Sequence, residues 1–189
     1  MVARGMDFEL ELSHANDYYR EHAQAHVWKM RTKTVFSRKR GIPSMIYTEC
    51  TPADYWGYLI PSGQAILLEA KSTESDTLNV TCCGQYRTFR THQLIALRDA
   101  SESNALAGLL IRFGLTDPKC YALNWKMLSD LLNLGRFREL ERVEFVDSVG
   151  KIHAKDLPEK CEVPPLRMGG WNYLQTLLDT TWLSVMKEA

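Results

Sequence analysis

The sequence predicts an α/β fold, a mixed central β-sheet flanked by helices, in a single domain spanning residues 1–189. Three observations predict it. Apolar runs rich in Tyr, Trp, Ile, Leu and Val, bounded by Gly and Pro, recur between residues 25 and 125 as strands. Stretches near both ends, and around residues 91–101 and 126–134, carry apolar side chains at helical spacing. Two apolar runs within 51–71 are joined by Pro61-Ser62-Gly63-Gln64, a preset φ followed by a glycine that tolerates φ > 0, which reads as a tight hairpin.

Taken in order, Met1 to Gly5 is a loose tail. Met6, Phe8, Leu10 and Leu12 alternate like a strand, but the longer stripe of Phe8, Leu12, Ala15 and Tyr19 favours a helix from Asp7 to about Ala23. Ala25 to Arg31 alternates as a strand. Thr32 to Pro43 is polar and basic and ends in Gly41-Ile42-Pro43, a loop or projecting hairpin outside the core. Ser44 to Glu49 is a short edge strand, and the central hairpin comes next. Ser72 to Gln85 is a polar connection. Thr91 to about Ser101 is a helix, capped by Thr88 or Thr91. Ala107 to Phe113 is a buried strand, Thr116-Asp117-Pro118 a turn, Cys120 to Trp125 another strand, and Lys126 to Leu134 a helix closed by Gly135. A short strand at Lys151 to His153 and a helical turn at Asp156 to Lys160 come after it. Trp171 to Met186 is the closing helix, with Leu174, Leu177, Leu178, Trp182 and Val185 on its stripe.

Composition narrows the classes. A chain of 189 residues buries about 70% of its unfolded surface. No apolar run is long enough to span a membrane. The N-terminus lacks the apolar region of a signal peptide, so a cytoplasmic location is expected. Five cysteines form no Cys-x-x-Cys pair, which disfavours zinc and disulfides. The formal net charge is zero, but Lys29, Arg31, Lys33, Arg38, Lys39 and Arg40 fall within twelve residues that contain no acid. Such a segment can neutralise phosphates although the total charge is neutral, and a solvated loop would look the same. His22 and His26 stand four apart, but the strand begins between them, so a metal pair is not expected.

The chemistry concentrates at the open end of the hairpin. A turn near Ser62 and Gly63 sets Asp54 opposite about residues 69 to 71, and alternation points Glu69 and Lys71 to one face. Two acids on adjacent strands can hold a hard cation such as Mg²⁺. The cation can lower the pKa of a bound water and polarise a phosphodiester, and a lysine beside it can position the attacking water. This Asp…Glu-x-Lys set is that of metal-dependent nucleases. Glu-x-Lys pairs also occur on solvated strands, but the apolar run Ala65 to Leu68 makes this strand a buried one, whose ionisable groups need a partner or an ion.

Several ordered stretches resemble the RecU Holliday junction resolvases: Arg4-Gly5-Met6-Asp7-Phe8-Glu9 with Asn16-Asp17-Tyr18-Tyr19, Ala25-His26-Val27-Trp28-Lys29, Asp54-Tyr55-x-Gly57, Glu69-Ala70-Lys71, and Phe89-x-x-His92-Gln93-Leu94 before the strand Gly108 to Phe113. They cover residues 4 to 125. The resemblance implies a restriction-endonuclease-like core, a homodimer, dependence on Mg²⁺ or Mn²⁺, and paired nicks at four-way DNA junctions. It implies Asp54 and Glu69 as metal ligands, Lys71 as the catalytic lysine, Glu9 as a first-helix acid near the metal, and Gln93 as a helix glutamine facing the active-site end of the sheet. Gln93 could equally serve only as a helix cap. Lys29, Arg31, Lys33, Arg38, Lys39, Arg40 and His92 are the expected DNA contacts. The sequence departs from the family at Ala53, where a small hydroxyl residue is usual. The segment at 32–44, which in the family projects as a stalk, is also shortened here. A nuclease for other branched or linear DNA, and a non-catalytic junction-binding recombination factor, are the alternative readings.

Overall fold

The computed structural model describes residues 6–31, 34–39, 42–47, 51–80, 88–132 and 150–185, with the backbone alone for residues 6, 34–39, 42–47 and 181–185. The chain runs through α1 (Met6–Glu21), β1 (Ala25–Lys29), β2 (Thr34–Lys39), β3 (Ile42–Tyr47), β4 (Tyr55–Leu59), β5 (Ala65–Thr73) and β6 (Thr77–Val80). It continues with α2 (Thr91–Glu102), β7 (Leu106–Phe113), β8 (Lys119–Asn124), α3 (Trp125–Leu131), β9 (Gly150–His153), two 3₁₀ turns, β10 (Glu162–Val163) and α4 (Tyr173–Val185). Six strands make the central sheet in the order β1-β4-β5-β7-β8-β10. Its β5–β7 pair is parallel and the others are antiparallel, so the mixed sheet flanked by helices is as expected.

The parallel pair follows from the connection. A crossover between parallel strands needs a dozen or more residues, and α2 supplies it. Period-two alternation then divides β7 between two apolar layers. Leu106 and Leu110 face the layer with Phe8, Leu12 and Tyr19 of α1 and Leu174 and Leu177 of α4. Leu109, Ile111 and Phe113 face the layer with Leu94 and Leu97 of α2 and Leu128 of α3. A strand buried on both faces reads as a continuous apolar run, as Leu-Ala-Gly-Leu-Leu-Ile does here.

The hairpin turn is built as its residues predict. Gly63 sits at φ +71 in open space, and its N–H donates to the Leu59 carbonyl at 2.9 Å. Gly57 has a different reason: a Cβ there would run into the His26 carbonyl across the β1–β4 ladder. Lys119 onward forms β8, and Asn124 ends it by capping α3, its side chain accepting from the Met127 N–H at 2.8 Å.

The structure corrects several expectations. Residues 34–47 form a two-stranded hairpin in a sheet of its own, Thr34 opposite Tyr47 and Lys39 opposite Ile42. Of the loop or projecting hairpin expected from residue 32 on, it is the hairpin, and the short strand expected from Ser44 is part of its second arm, which begins at Ile42. The connection after Lys71 is also more regular than its polarity indicated, since β5 runs on to Thr73 and β6 pairs with β9 in a third sheet. Neither Thr88 nor Thr91 caps α2. Arg90 holds the cap position and Thr88 donates instead to the Asn79 carbonyl. The last helix starts at Tyr173, because Trp171 is spent on a β-bridge to Pro165. Gly135, Cys82 and Cys83 lie outside the described residues, as do Lys33 and Arg40.

Candidate active site

The site begins with register. Tyr55 pairs with Leu68, so Asp54, one residue earlier, comes opposite Glu69. The Asp54 N–H donates to the Leu68 carbonyl at 3.1 Å, while its Oδ2 accepts from the Ala70 N–H at 3.0 Å. The aspartate is thus tied at both backbone and side chain to the two residues flanking Glu69.

Glu69 is wholly buried. Its Oε1 accepts from Gln93 Nε2 at 2.7 Å and from Lys71 Nζ. Its Oε2 is buried with no partner among the described residues. Burial pushes the carboxyl from its ordinary 4.5 up to about 7, opposed by Lys71 and reinforced by Asp54. Lys71 Nζ also stands 5.2 Å from the centroid of the Phe89 ring, within cation–π range. Gln93 is nearly buried, and its other amide atom, Oε1, accepts from the Arg90 N–H at 2.8 Å. The helix cap therefore orients the amide so that its NH₂ faces Glu69. One end of the Gln93 side chain thus serves the cap of α2 and the other reaches Glu69.

The remaining candidates fall around this centre. His92 Nε2 lies 3.1 Å from the Thr51 carbonyl and so links α2 to the loop that carries Asp54. Glu9 pairs with Lys29 at 2.5 Å on the exposed α1 side of the sheet. No contact with Asp54 or Glu69 is among its described ones. Tyr55 connects the two sides. Its hydroxyl is buried without a partner among the described residues, and burial, then Glu9, then Asp54 raise its pKa. Arg31 comes just after β1 and is exposed, and Arg38 and Lys39 lie beside the β2–β3 turn by register. Phe89 stands against Lys71 and Tyr55 adjoins Asp54, and sequence reasoning singled out neither. The signal was available, since Phe89 shares a motif with His92 and Gln93, and Tyr55 adjoins Asp54.

The donor set suits a hard divalent cation. Two carboxylates meet at one point, and one buried carboxylate oxygen has no partner among the described residues, while Lys71 and Gln93 both donate to the other. Mg²⁺ takes one or two protein carboxylates and completes its shell with water and phosphate oxygens. No group of three or more His, Cys, Asp or Glu positioned to hold a metal occurs among the described residues.

The family model described as "RecU: Recombination protein U" matches residues 3–158. No curated protein matches. Among solved structures, that of Archaeoglobus fulgidus Hjc, a Holliday junction resolvase from an archaeal hyperthermophile, is similar over 81% of this chain and 86% of its own. The identity is 10% and the TM-score 0.40, too low for that likeness to carry an argument.

Proposed function

This chain belongs to the recombination protein U (RecU) family of Holliday junction resolvases, and we propose that it hydrolyses the strands of four-way DNA junctions with Asp54, Glu69 and Lys71. The family makes it a nuclease that acts on branched DNA. The observation that supports the residue assignment is Glu69, a buried carboxylate with two donors on Oε1 and none on Oε2, directly opposite Asp54.

Asp54 and Glu69 would hold Mg²⁺ or Mn²⁺. Such a cation, when bound, lowers the pKa of a water and neutralises charge developing on the phosphate. The chain's own residues do the rest. The Ala70 N–H holds the Asp54 carboxylate at the strand end, and Gln93 holds that of Glu69. Lys71 orients the attacking water and carries a positive charge next to the phosphate. Glu9 and Tyr55 approach from the α1 side, where a water could link them to the acids. The β2–β3 hairpin, with Arg38 and Lys39 near its tip, is the expected contact with phosphates rather than bases. Paired nicks in strands of like polarity call for two such sites, hence a homodimer.

The test is cleavage of a synthetic immobile four-way junction in Mg²⁺, with linear duplex and a fork as controls and Asp54→Asn beside the parent. Symmetric nicks in the junction alone, lost in the variant while binding persists, are the expected result. Full activity in Asp54→Asn removes Asp54 from the site, and equal cutting of every substrate removes the junction selectivity. Lys71→Ala should likewise bind and not cut, and an equal loss of both overturns its role.

A further inference from the structure

Lys71 is held from two sides, and the proposed chemistry uses one of them. On one side Nζ donates to Glu69 Oε1. On the other it stands over the face of the Phe89 ring, 5.2 Å from the centroid. The contact follows from the sequence. Alternation along β5 turns Lys71 to the same side of the sheet as Glu69, and Phe89 lies two residues before the start of α2, which packs on that side. Both neighbours of Phe89 are anchored. The Thr88 hydroxyl donates to the Asn79 carbonyl of β6, and Arg90 is the N-cap of α2. The ring itself is wholly buried and belongs to the apolar layer that includes Val80 of β6, Leu94 and Leu97 of α2 and Leu109 of β7. The lysine side chain keeps 20% of its surface open. An ammonium thus lies between a fixed aromatic floor and solvent.

We infer that Phe89 is a positioning residue for strand cleavage: the face of its ring holds the Lys71 ammonium where it meets the attacking water. The inference rests on the reading of Lys71 as the residue that orients that water, and adds what keeps it in place. A lysine is a point charge on a flexible four-carbon stem, and a group that orients a nucleophile must have its own side chain locked by its surroundings. Glu69 alone is a poor lock. Its carboxylate is the ligand that the proposed cation would take, and a positive charge on Glu69 weakens the pull on an ammonium beside it. The ring has no oxygen for a hard cation to bind, so its hold on Lys71 persists when Glu69 is engaged. Core filling alone does not account for the arrangement. An ammonium set against an aliphatic wall loses hydration with nothing in return, whereas the face of an aromatic ring attracts it, and more strongly out of water. A residue that only filled space would serve equally well with any ring of the same shape. A residue that holds a cation depends on the negative charge of its π face.

The experiment separates the charge of the ring from its bulk. In the full chain Phe89 is replaced by a trifluorinated phenylalanine, which keeps the ring's shape and drains its π face, and separately by leucine. Phe113, in the same apolar layer and T-shaped to Tyr121 at 5.7 Å, receives the same trifluorinated ring as the control. Single-turnover cleavage of an immobile four-way junction in Mg²⁺ is read beside junction affinity in chelator. The expected result is cleavage slowed roughly 5- to 30-fold by trifluorination at Phe89, with affinity and melting temperature unchanged. Phe89→Leu should slow it at least as much, and the Phe113 control should cut at the parent rate. A second readout needs no DNA. In the parent with isotope-labelled lysine, the ε-methylene resonance of Lys71, assigned by its absence from Lys71→Ala, should be shifted upfield by the ring and return in Phe89→Leu. If Phe89→Leu fails to fold, the trifluorinated form and the parent's resonance decide. Cleavage at the parent rate with the drained ring, an equal slowing by the Phe113 control, a loss of affinity in step with rate, or an unshifted Lys71 resonance overturns the inference. Failure of the nuclease reading looks different: a parent with the Lys71 resonance shifted that cuts no junction overturns that reading, and the positioning role with it, while the ring contact stands.

Discussion

Glu69 is the residue on which stability and chemistry meet. Its folded pKa is raised, so its contribution to folding is present below the ordinary 4.5 and is lost as pH rises through about 7. One pKa unit is about 1.4 kcal/mol, so ionising it in the metal-free fold costs up to ~3 kcal/mol. Glu69→Gln keeps an oxygen for Lys71 and Gln93 and puts an amide nitrogen where Oε2 stands unpartnered. In chelator at pH 8 the variant should melt higher than the parent, with the difference closing towards pH 4.5. A variant no more stable at pH 8 would show that the Lys71 pairing already offsets burial. Gln93 acts through Glu69 rather than on the substrate. Gln93→Ala should slow cleavage about 10–100-fold, the range for residues that orient ligands, and leave junction affinity unchanged. Rescue by Gln93→Asn is not expected, because the shorter side chain cannot span from Arg90 to Glu69. An equal loss of affinity would move Gln93 from positioning to DNA contact.

Among the elements, α1 and the segment leading into α4 are locked by Tyr19. Its buried hydroxyl accepts from the Leu174 N–H at 3.1 Å and donates to the Trp171 carbonyl at 3.1 Å. Trp171 Nε1 in turn donates to Glu11 at 2.6 Å, and Arg112 of β7 reaches the same carboxylate at 3.2 Å. Tyr19→Phe leaves the Leu174 N–H buried and unpaired, so chemical denaturation should show a loss of about 1–3 kcal/mol. Because α1 carries Glu9, the loosened helix should also slow cleavage, whereas a purely local defect would leave the rate alone. The β2–β3 hairpin is the second element with a distinct task. Neutralising Arg38, Lys39 and Arg40 together should weaken junction binding and flatten its dependence on salt. An unaltered slope would show that the strands project without touching DNA.

At the scale of the whole molecule, the active site is a charged point set between two apolar layers, and a bound cation should feed back on global stability. Ligand binding to the native state alone adds about 2.7 kcal/mol at one hundred times the dissociation constant. Saturating Mg²⁺ should therefore raise the melting temperature of the parent over that in chelator. It should do so far less for Asp54→Asn and Glu69→Gln, each short of one carboxylate. An equal rise in all three would place the cation elsewhere. The sheet also explains why acids survive here at all. β5 is flanked on both sides by paired strands, which hold Glu69 in place, and Gln93 and Lys71 offset part of the cost of burying it.

Much of this was legible in the chain. The hairpin, its turn, the opposition of Asp54 to Glu69, and the shared face of Glu69 and Lys71 all derive from local chemistry and a period of two. So do α2, β7 and β8, and α1 as well, where the longer helical stripe outweighs the strand-like alternation of Met6, Phe8, Leu10 and Leu12. What the sequence could not decide depends on residues far apart in the chain. That Gln93 meets both the helix cap and Glu69 requires α2 to land over β5. The unpartnered Glu69 Oε2 exists only once Lys71 and Gln93 have both chosen Oε1. That Trp28, Trp56 and Tyr58 stand exposed on one face depends on the pairing of β1 with β4. Local pattern records which face of an element is apolar. Which of those faces is then covered, and which is left open, is settled by the packing of the whole sheet.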